Sequence, residues 1–329
     1  VKNLVQKILA GDIRSIARAI TLAENEDYQA VELLRSLYPH TGQAYLVGIT
    51  GPPGGGKSTL VDRMIAYYRK LGLKVAVIGI DPSSTFTGGA LLGDRVRMQA
   101  HATDNGVFIR SMGSRGHLGG LAVATADSAK ILDAAGYDII IFETVGIGQS
   151  EIEVASQVDT TVLVTVPGLG DDIQVLKAGT MEIADIFVVN KADRDGVEKS
   201  VMAIEQLLST WDMTEDDFVP PILKVTAKDN IGIGELAQAI EQHKKHLNDS
   251  GKFETRRRNR AVTEVHTLIL NQLDKWARDK MTKDITTRDN IEEVYLKFID
   301  PHTVAREALR ELEMETMWDK WGQGADGGG

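Results

Sequence analysis

Gly51-Pro-Pro-Gly-Gly-Gly-Lys57-Ser58 decides the fold of this chain. The stretch fits G-x-x-x-x-G-K-[ST], the pattern of a loop that cradles phosphate groups. It follows an apolar run over residues 44–50 and opens an amphipathic helix over 57–71, the order such a loop requires. Gly54, Gly55 and Gly56 let the backbone wrap phosphate oxygens with its N–H groups turned inward, at the positive end of the next helix. Lys57 reaches the β- and γ-phosphate oxygens, and the Ser58 hydroxyl offers one ligand position to Mg²⁺. Gly51, Pro52, Pro53 and Thr59 complete the stretch expected to line a bound nucleotide.

A second motif, Asn190-Lys191-Ala192-Asp193, ends another apolar run over 185–189. A carboxylate at Asp193 accepts from both the ring N1–H and the exocyclic amine of guanine, a donor pair that adenine does not offer. With an adenine nucleotide that carboxylate is left desolvated and unpaired, a mismatch that discriminates strongly. Asn190 reaches the opposite edge of the base, and the Lys191 stem covers its face. Thr226-Ala227-Lys228, after a run over 222–225, matches a loop that lends backbone N–H groups to the guanine oxygen.

Outward from these motifs, apolar runs at 44–50, 74–80, 107–110, 138–142, 160–166, 185–189 and 222–225 alternate with amphipathic helices. Near-continuous runs rich in Val and Ile suit parallel strands buried on both faces. The expectation is an α/β fold, a doubly wound and mainly parallel sheet with helices on both faces and its ligand at the strands' carboxyl ends. Residues 1–40 read as a helical segment, 41–250 as the nucleotide domain, 251–315 as a helical arm and 316–329 as a disordered Gly-rich tail. In the arm, Val262, Val265, Leu268, Ile269, Leu273 and Trp276 share one side of a long helix. Such a stripe must be buried against the α/β domain or a second chain. Arg256-Arg-Arg-Asn-Arg260, at its start, reads as solvated.

The net charge of −10 over 329 residues argues against a general nucleic-acid or anionic-membrane surface. The absence of Cys excludes a disulfide framework and thiolate metal sites. No apolar run approaches the ~20 residues of a membrane span, and no secretory signal opens the chain. A cytoplasmic location is expected, or the mitochondrial matrix if a transit peptide has been removed.

Glu143-Thr-Val-Gly146 ends the strand over 138–142, where a carboxylate holds Mg²⁺ and the Gly N–H meets the γ-phosphate. Asp81 ends another strand, and the stretch that follows carries Gly88-Gly89, Asp94, Arg95 and Arg97, a switch-loop candidate. Asp81 and Asp94 are candidate metal ligands or water positioners, and Arg95 and Arg97 can offset phosphoryl charge. Pro167-Gly-Leu-Gly-Asp-Asp172, before Lys177, reads equally as a sensor loop or a plain β–α connection. Arg110, Arg115 and His117 share a face that can meet a partner. Gln149 lies three residues beyond Gly146, a poor place to orient water, so intrinsic hydrolysis is expected to be slow and partner-stimulated.

Together, Gly51–Thr59, Asp81-Pro-Ser-Ser84, Arg110-Ser-Met112, Arg115-Gly-His-Leu-Gly-Gly120, Glu143-Thr-Val-Gly-Ile-Gly-Gln149, Pro167-Gly-Leu-Gly-Asp-Asp-Ile-Gln174 and Asn190–Asp193 cover residues 1 to about 312 in order. This set resembles the MeaB/ArgK GTPases associated with methylmalonyl-CoA mutase. Gly55 departs from it, Ala being expected there, a harmless exchange of small residues. The resemblance implies a homodimeric, GTP-gated chaperone of an adenosylcobalamin-dependent acyl-CoA mutase, binding GTP or GDP with Mg²⁺ and no cobalamin directly. It also implies metal and catalytic roles for Asp81, Asp94 and Glu143, a switch role for Arg97, and a mutase-responsive role for Lys177. The arm after residue 251 would form the dimer, and the N-terminal helices would lie against the nucleotide domain.

Two other classes fit less well. A kinase of a transport system needs a pocket and a base for a second substrate, and no motif supplies them. A nickel chaperone needs soft or imidazole ligands, whereas the seven His are scattered. His243 and His246, at i and i+3 on a charged helix, read as solvated.

Overall fold

Seven apolar runs become seven strands, β1 (Tyr45–Thr50), β2 (Val75–Asp81), β3 (Val107–Gly113), β4 (Ile139–Thr144), β5 (Thr160–Thr165), β6 (Ile186–Asn190) and β7 (Ile222–Val225). A computed structural model of the chain describes residues 1–81, 101, 103–113, 118–144, 154–168, 181–214 and 216–314. The strands form one sheet in the order β3-β2-β4-β1-β5-β6-β7, and every pairing in it is parallel. From β1 the chain moves to β2 and β3 on one side, returns to β4, then crosses to β5 on the other. The direction of winding thus reverses at β1, and the loop after it opens where ligands of such sheets lie.

Alternation along β1 assigns its side chains to two cores. Tyr45, Val47 and Ile49 face Leu60, Val61, Met64 and Ile65 of α4 (Lys57–Lys70) and Leu236 and Ile240 of α7 (Ile233–Asp249). Ala44 and Leu46 belong to the opposite core. That core is filled by α1 (Lys2–Leu9), α2 (Ile13–Glu24), α3 (Tyr28–Leu37) and α5 (Leu118–Ala134). The N-terminal helices therefore cover one face of the sheet. Asp12 and Asp27 begin α2 and α3 by accepting from Ser15 N and Gln29 N at 2.8 and 2.9 Å, satisfying amides that a helix leaves open. A third, smaller core joins β5 and β6 to α6 (Val197–Leu208).

Arg110 turns its guanidinium toward α2. Its guanidinium bonds both Glu24 carboxylate oxygens, Ala17 O and Thr21 Oγ1, tying β3 to α2. Arg115 and His117 lie outside the described residues.

The amino ends of the strands carry a repeated device. Asp138, Asp159 and Asp185 each precede a strand and accept the amide of a neighbouring one, at Lys74 (2.7 Å), Leu46 (3.0 Å) and Thr161 (2.8 Å). Onto two of these carboxylates falls the arginine run at the start of α8 (Lys252–Lys283). Arg256 is bidentate to Asp185 at 2.7 and 3.1 Å, and Arg257 and Arg260 both reach Asp159, which is fully buried. The run is a clamp rather than a solvated helix start, because the aspartates it meets have nowhere else to place their charge. His243 is also buried. Its Nδ1 lies 2.8 Å from Thr160 Oγ1 and its Nε2 3.3 Å from Asp185. The reading of this His as solvated is corrected.

The chain divides into two compact units, Val1–Val265 and His266–Gly329. The second contains α9 (Ile285–Tyr295), begun by Asp284 accepting from Thr287 N at 2.8 Å, and α10 (Pro301–Met314). Ile269, Leu270, Met281, Tyr295, Phe298 and Leu309 are exposed there. The residues expected to form a disordered tail lie, from 315 on, outside the described residues. Among the described residues no helix is long and apolar enough to cross a membrane.

Candidate functional site

The phosphate loop leaves β1 through Gly51, whose φ of +135° and a Cβ only 2.0 Å from Val164 O would leave no room for any side chain. Gly56 (φ +86°) is equally constrained, since a Cβ there would lie 2.4 Å from Asn190 Nδ2. Two motifs 135 residues apart therefore meet with no atom to spare. Lys57, the first residue of α4, is buried, and its ammonium donates to Gly51 O at 2.6 Å and Pro52 O at 3.0 Å. The charge is thus held in the mouth of the loop by its own carbonyls, weak partners that phosphate oxygens outcompete.

Asn190, at the carboxyl end of β6, is 2% exposed and uses both ends of its amide. Nδ2 donates to Gly55 O at 2.8 Å, and Oδ1 accepts from Ala227 N at 3.1 Å. One side chain joins the phosphate loop, the base motif and the Thr226-Ala227-Lys228 loop. Lys191, held at φ +57°, sends its ammonium to Gly54 O at 2.6 Å, so its stem lies along the space between. Asp193 is 42% exposed with Lys228 Nζ at 3.6 Å. A carboxylate left in contact with water is what a base-reading group needs before its ligand arrives.

On the other side of the loop, Ser58 Oγ donates to Glu143 Oε1 at 2.5 Å, and Thr50 and Thr144 hydroxyls lie 2.8 Å apart across the ends of β1 and β4. Glu143 is buried. The backbone sets Asp81 at the carboxyl end of β2, beside β4. Ser58 and Glu143 thus bring two hard oxygen donors together where a magnesium ion would meet phosphate. Asp94, Arg95, Arg97, Gly146, Gln149 and Lys177, and the Asp81 side chain, lie outside the described residues. Among the described residues there is no group of three or more His, Asp or Glu arranged to hold a metal.

Arg63, on α4, belongs to none of the sequence motifs. Its Nε reaches Ala227 O at 3.3 Å and its Nη2 reaches Lys228 O at 3.4 Å. No local spacing could reveal partners 164 residues away.

A central β1 running into this loop, with an N-K-x-D motif bonded to the loop's back, defines a P-loop GTPase. The chain belongs to the family described as methylmalonyl-CoA mutase-associated GTPase MeaB, whose family model matches residues 16–282. A Pyrococcus abyssi protein is 48% identical over 316 residues, covering 95% of this chain and 97% of its own. The GTPase ArgK of Escherichia coli is 39% identical over 280 residues, 82% of this chain and 85% of that one. The mouse methylmalonic aciduria type A homolog, mitochondrial, is 31% identical over 286 residues, 82% of this chain and 69% of its own. Among solved structures, a LAO/AO transport system kinase superposes with a TM-score of 0.71 at 28% identity, covering 95% of this chain and 97% of its own.

Proposed function

We propose that this chain binds and hydrolyses GTP as a chaperone of an adenosylcobalamin-dependent acyl-CoA mutase of the methylmalonyl-CoA mutase type. In this role it gates cofactor loading and protects the mutase. The observation that carries the nucleotide half is the Asn190 bridge, which couples the grip on phosphate to the loop that reads the base. The mutase half rests on the family match and the mouse relative.

Lys57 and the inward amides of the loop bind the triphosphate, and Asp193 with the Lys228 amide selects guanine, the Ala227 amide being taken by Asn190. Mg²⁺ would be held by Ser58, Glu143, Asp81 and Asp94, and when bound it neutralises charge spread over the β- and γ-phosphates. Arg97 offsets charge on the transferring phosphoryl group, and Lys177 answers to the mutase. The exposed apolar side chains of α8–α10 serve a homodimer. Gln149 follows Gly146 at a spacing of three in the sequence, a poor place to orient water, so hydrolysis is slow until the mutase engages.

The test is turnover of GTP by the purified chain alone and with a mutase captured from the native organism, with and without cobalamin. Stimulation by the mutase, releasing only GDP and phosphate, is the expected result. Fast turnover that no partner alters, or phosphate passed to an acceptor as a kinase would pass it, overturns the proposal. Asp193→Asn should shift preference from guanine to xanthine nucleotides, whose exocyclic group is an acceptor. GTP affinity unchanged in that variant removes Asp193 from base recognition.

A further inference from the structure

Arg63 lies on the phosphate-loop helix, about 1.7 turns beyond Lys57, and donates to two carbonyls of the base loop. A guanidinium usually satisfies carboxylates or phosphates. Here Nε takes Ala227 O and Nη2 takes Lys228 O, while Asn230 N also donates to Ala227 O at 3.2 Å. The peptide between Ala227 and Lys228 is trans, so its N–H points opposite to its carbonyl. Fixing Ala227 O toward α4 therefore turns the Lys228 amide away from α4. The preceding amide, Ala227 N–H, is directed to Asn190, the residue that backs the phosphate loop. The Lys228 ammonium lies beside Asp193.

We propose that Arg63 is a positioning residue for guanine recognition: by holding the Ala227 and Lys228 carbonyls it fixes the plane of the amide that donates to the 6-oxygen of the base. This rests on the reading of residues 226–228 as the guanine loop. Arg63 does not touch the nucleotide, and it acts only through that peptide plane. Its partners are backbone atoms, so the contact is made whatever side chains residues 227 and 228 carry.

Three diphosphates separate this role from a general structural one. GDP and IDP both carry the 6-oxygen, and 6-thio-GDP replaces it with sulfur, a weaker acceptor, while keeping the N1–H and amine that face Asp193. Titrating each into the full chain and into Arg63→Ala, we expect GDP and IDP to bind about five-fold more weakly in the variant, the effect of one neutral amide–carbonyl hydrogen bond. Binding of 6-thio-GDP should change by less than about two-fold, so the preference for oxygen over sulfur falls. Arg63→Lys, which keeps one charged donor, should recover part of that preference. Equal loss for all three diphosphates assigns Arg63 to the fold alone and overturns the proposal, as does no loss for any. Failure of the underlying reading looks different: the unaltered chain would then bind 6-thio-GDP as well as GDP.

Discussion

The two ends of the same sheet spend buried polar groups in opposite ways. At the amino ends, Asp159 is fully buried and is matched by Leu46 N, Arg257 and Arg260, while Asp185 is matched by Thr161 N, His243 and Arg256. Three of those partners are guanidinium groups, and the set is closed by the chain itself. At the carboxyl ends, the buried Lys57 ammonium has two backbone carbonyls among its partners, and Asp193 stays in contact with water. The difference teaches that rigidity and responsiveness are segregated along the strand axis. One end consumes its charges in holding β1, β5, β6, α7 and α8 together; the other keeps charges in exchangeable bonds that a ligand can take over.

The largest effect should follow from breaking the closed end. Asp159→Ala removes the carboxylate that two guanidinium groups share, leaving them only backbone carbonyls, and strips the Leu46 amide of its side-chain acceptor, a loss of about 3–5 kcal/mol. A fall in melting temperature of roughly 10 °C is expected by calorimetry, and a loss under about 1 kcal/mol would mean water replaces the carboxylate freely. The open end should answer differently. Lys57→Ala is expected to weaken GTP binding by about a hundred-fold in titration calorimetry while cooperative melting persists. Loss of cooperativity would make Lys57 a structural residue and erase the contrast.

Acid sharpens the comparison further. Burial alone would raise the Asp185 carboxyl, but hydrogen bonds from His243 and Arg256, and their charges, override it and hold it below the usual 3.8. Because the folded value is depressed, its stabilisation is complete above that ordinary value and is lost as pH falls through the folded one. The stability gap between the native chain and Asp185→Asn should therefore be full at neutral pH and shrink below about pH 4, followed by melting at stepped pH. A gap that widens in acid would reverse the assignment. The smallest effect belongs to Gly55→Ala. Its Cβ would sit 3.0 Å from Pro52 O, tight but without a positive φ, so a change within about 1 kcal/mol and within two-fold in GTP affinity is expected.

All seven strands were legible because buried parallel strands advertise themselves as apolar runs, and β7 matches its run at both ends, yet hydrophobicity misjudged the ends of β2, β4 and β6 in the same direction. β2, β4 and β6 continue into Asp81, Thr144 and Asn190, polar residues that stand at the carboxyl ends because the ligand chemistry is there. At the other end, Lys74, Asp138 and Asp185 read as strand residues but lie just before β2, β4 and β6. Both phosphate loop and base motif were readable from residue types, since the positive φ at Gly51, Gly54 and Gly56 calls for glycine and a Lys-Ser pair marks such a loop. Strand order, the arginine clamp and Arg63 were not, because each depends on residues brought together from distant parts of the chain. His243 was recoverable: Ile240, His243 and Leu247 share the buried stripe of α7, and that spacing outweighed its charged neighbours.

The doubly engaged amide of Asn190 carries a consequence for how such proteins diversify. A transplanted base motif would arrive with its own backbone position and disturb the curve at Gly55, so grafting an adenine-selective segment here should impair grip before it alters selectivity. Changes of nucleotide preference in this lineage would then have to accumulate as matched alterations in both segments, and ancestral intermediates carrying only one of them would have been poor binders of every nucleotide.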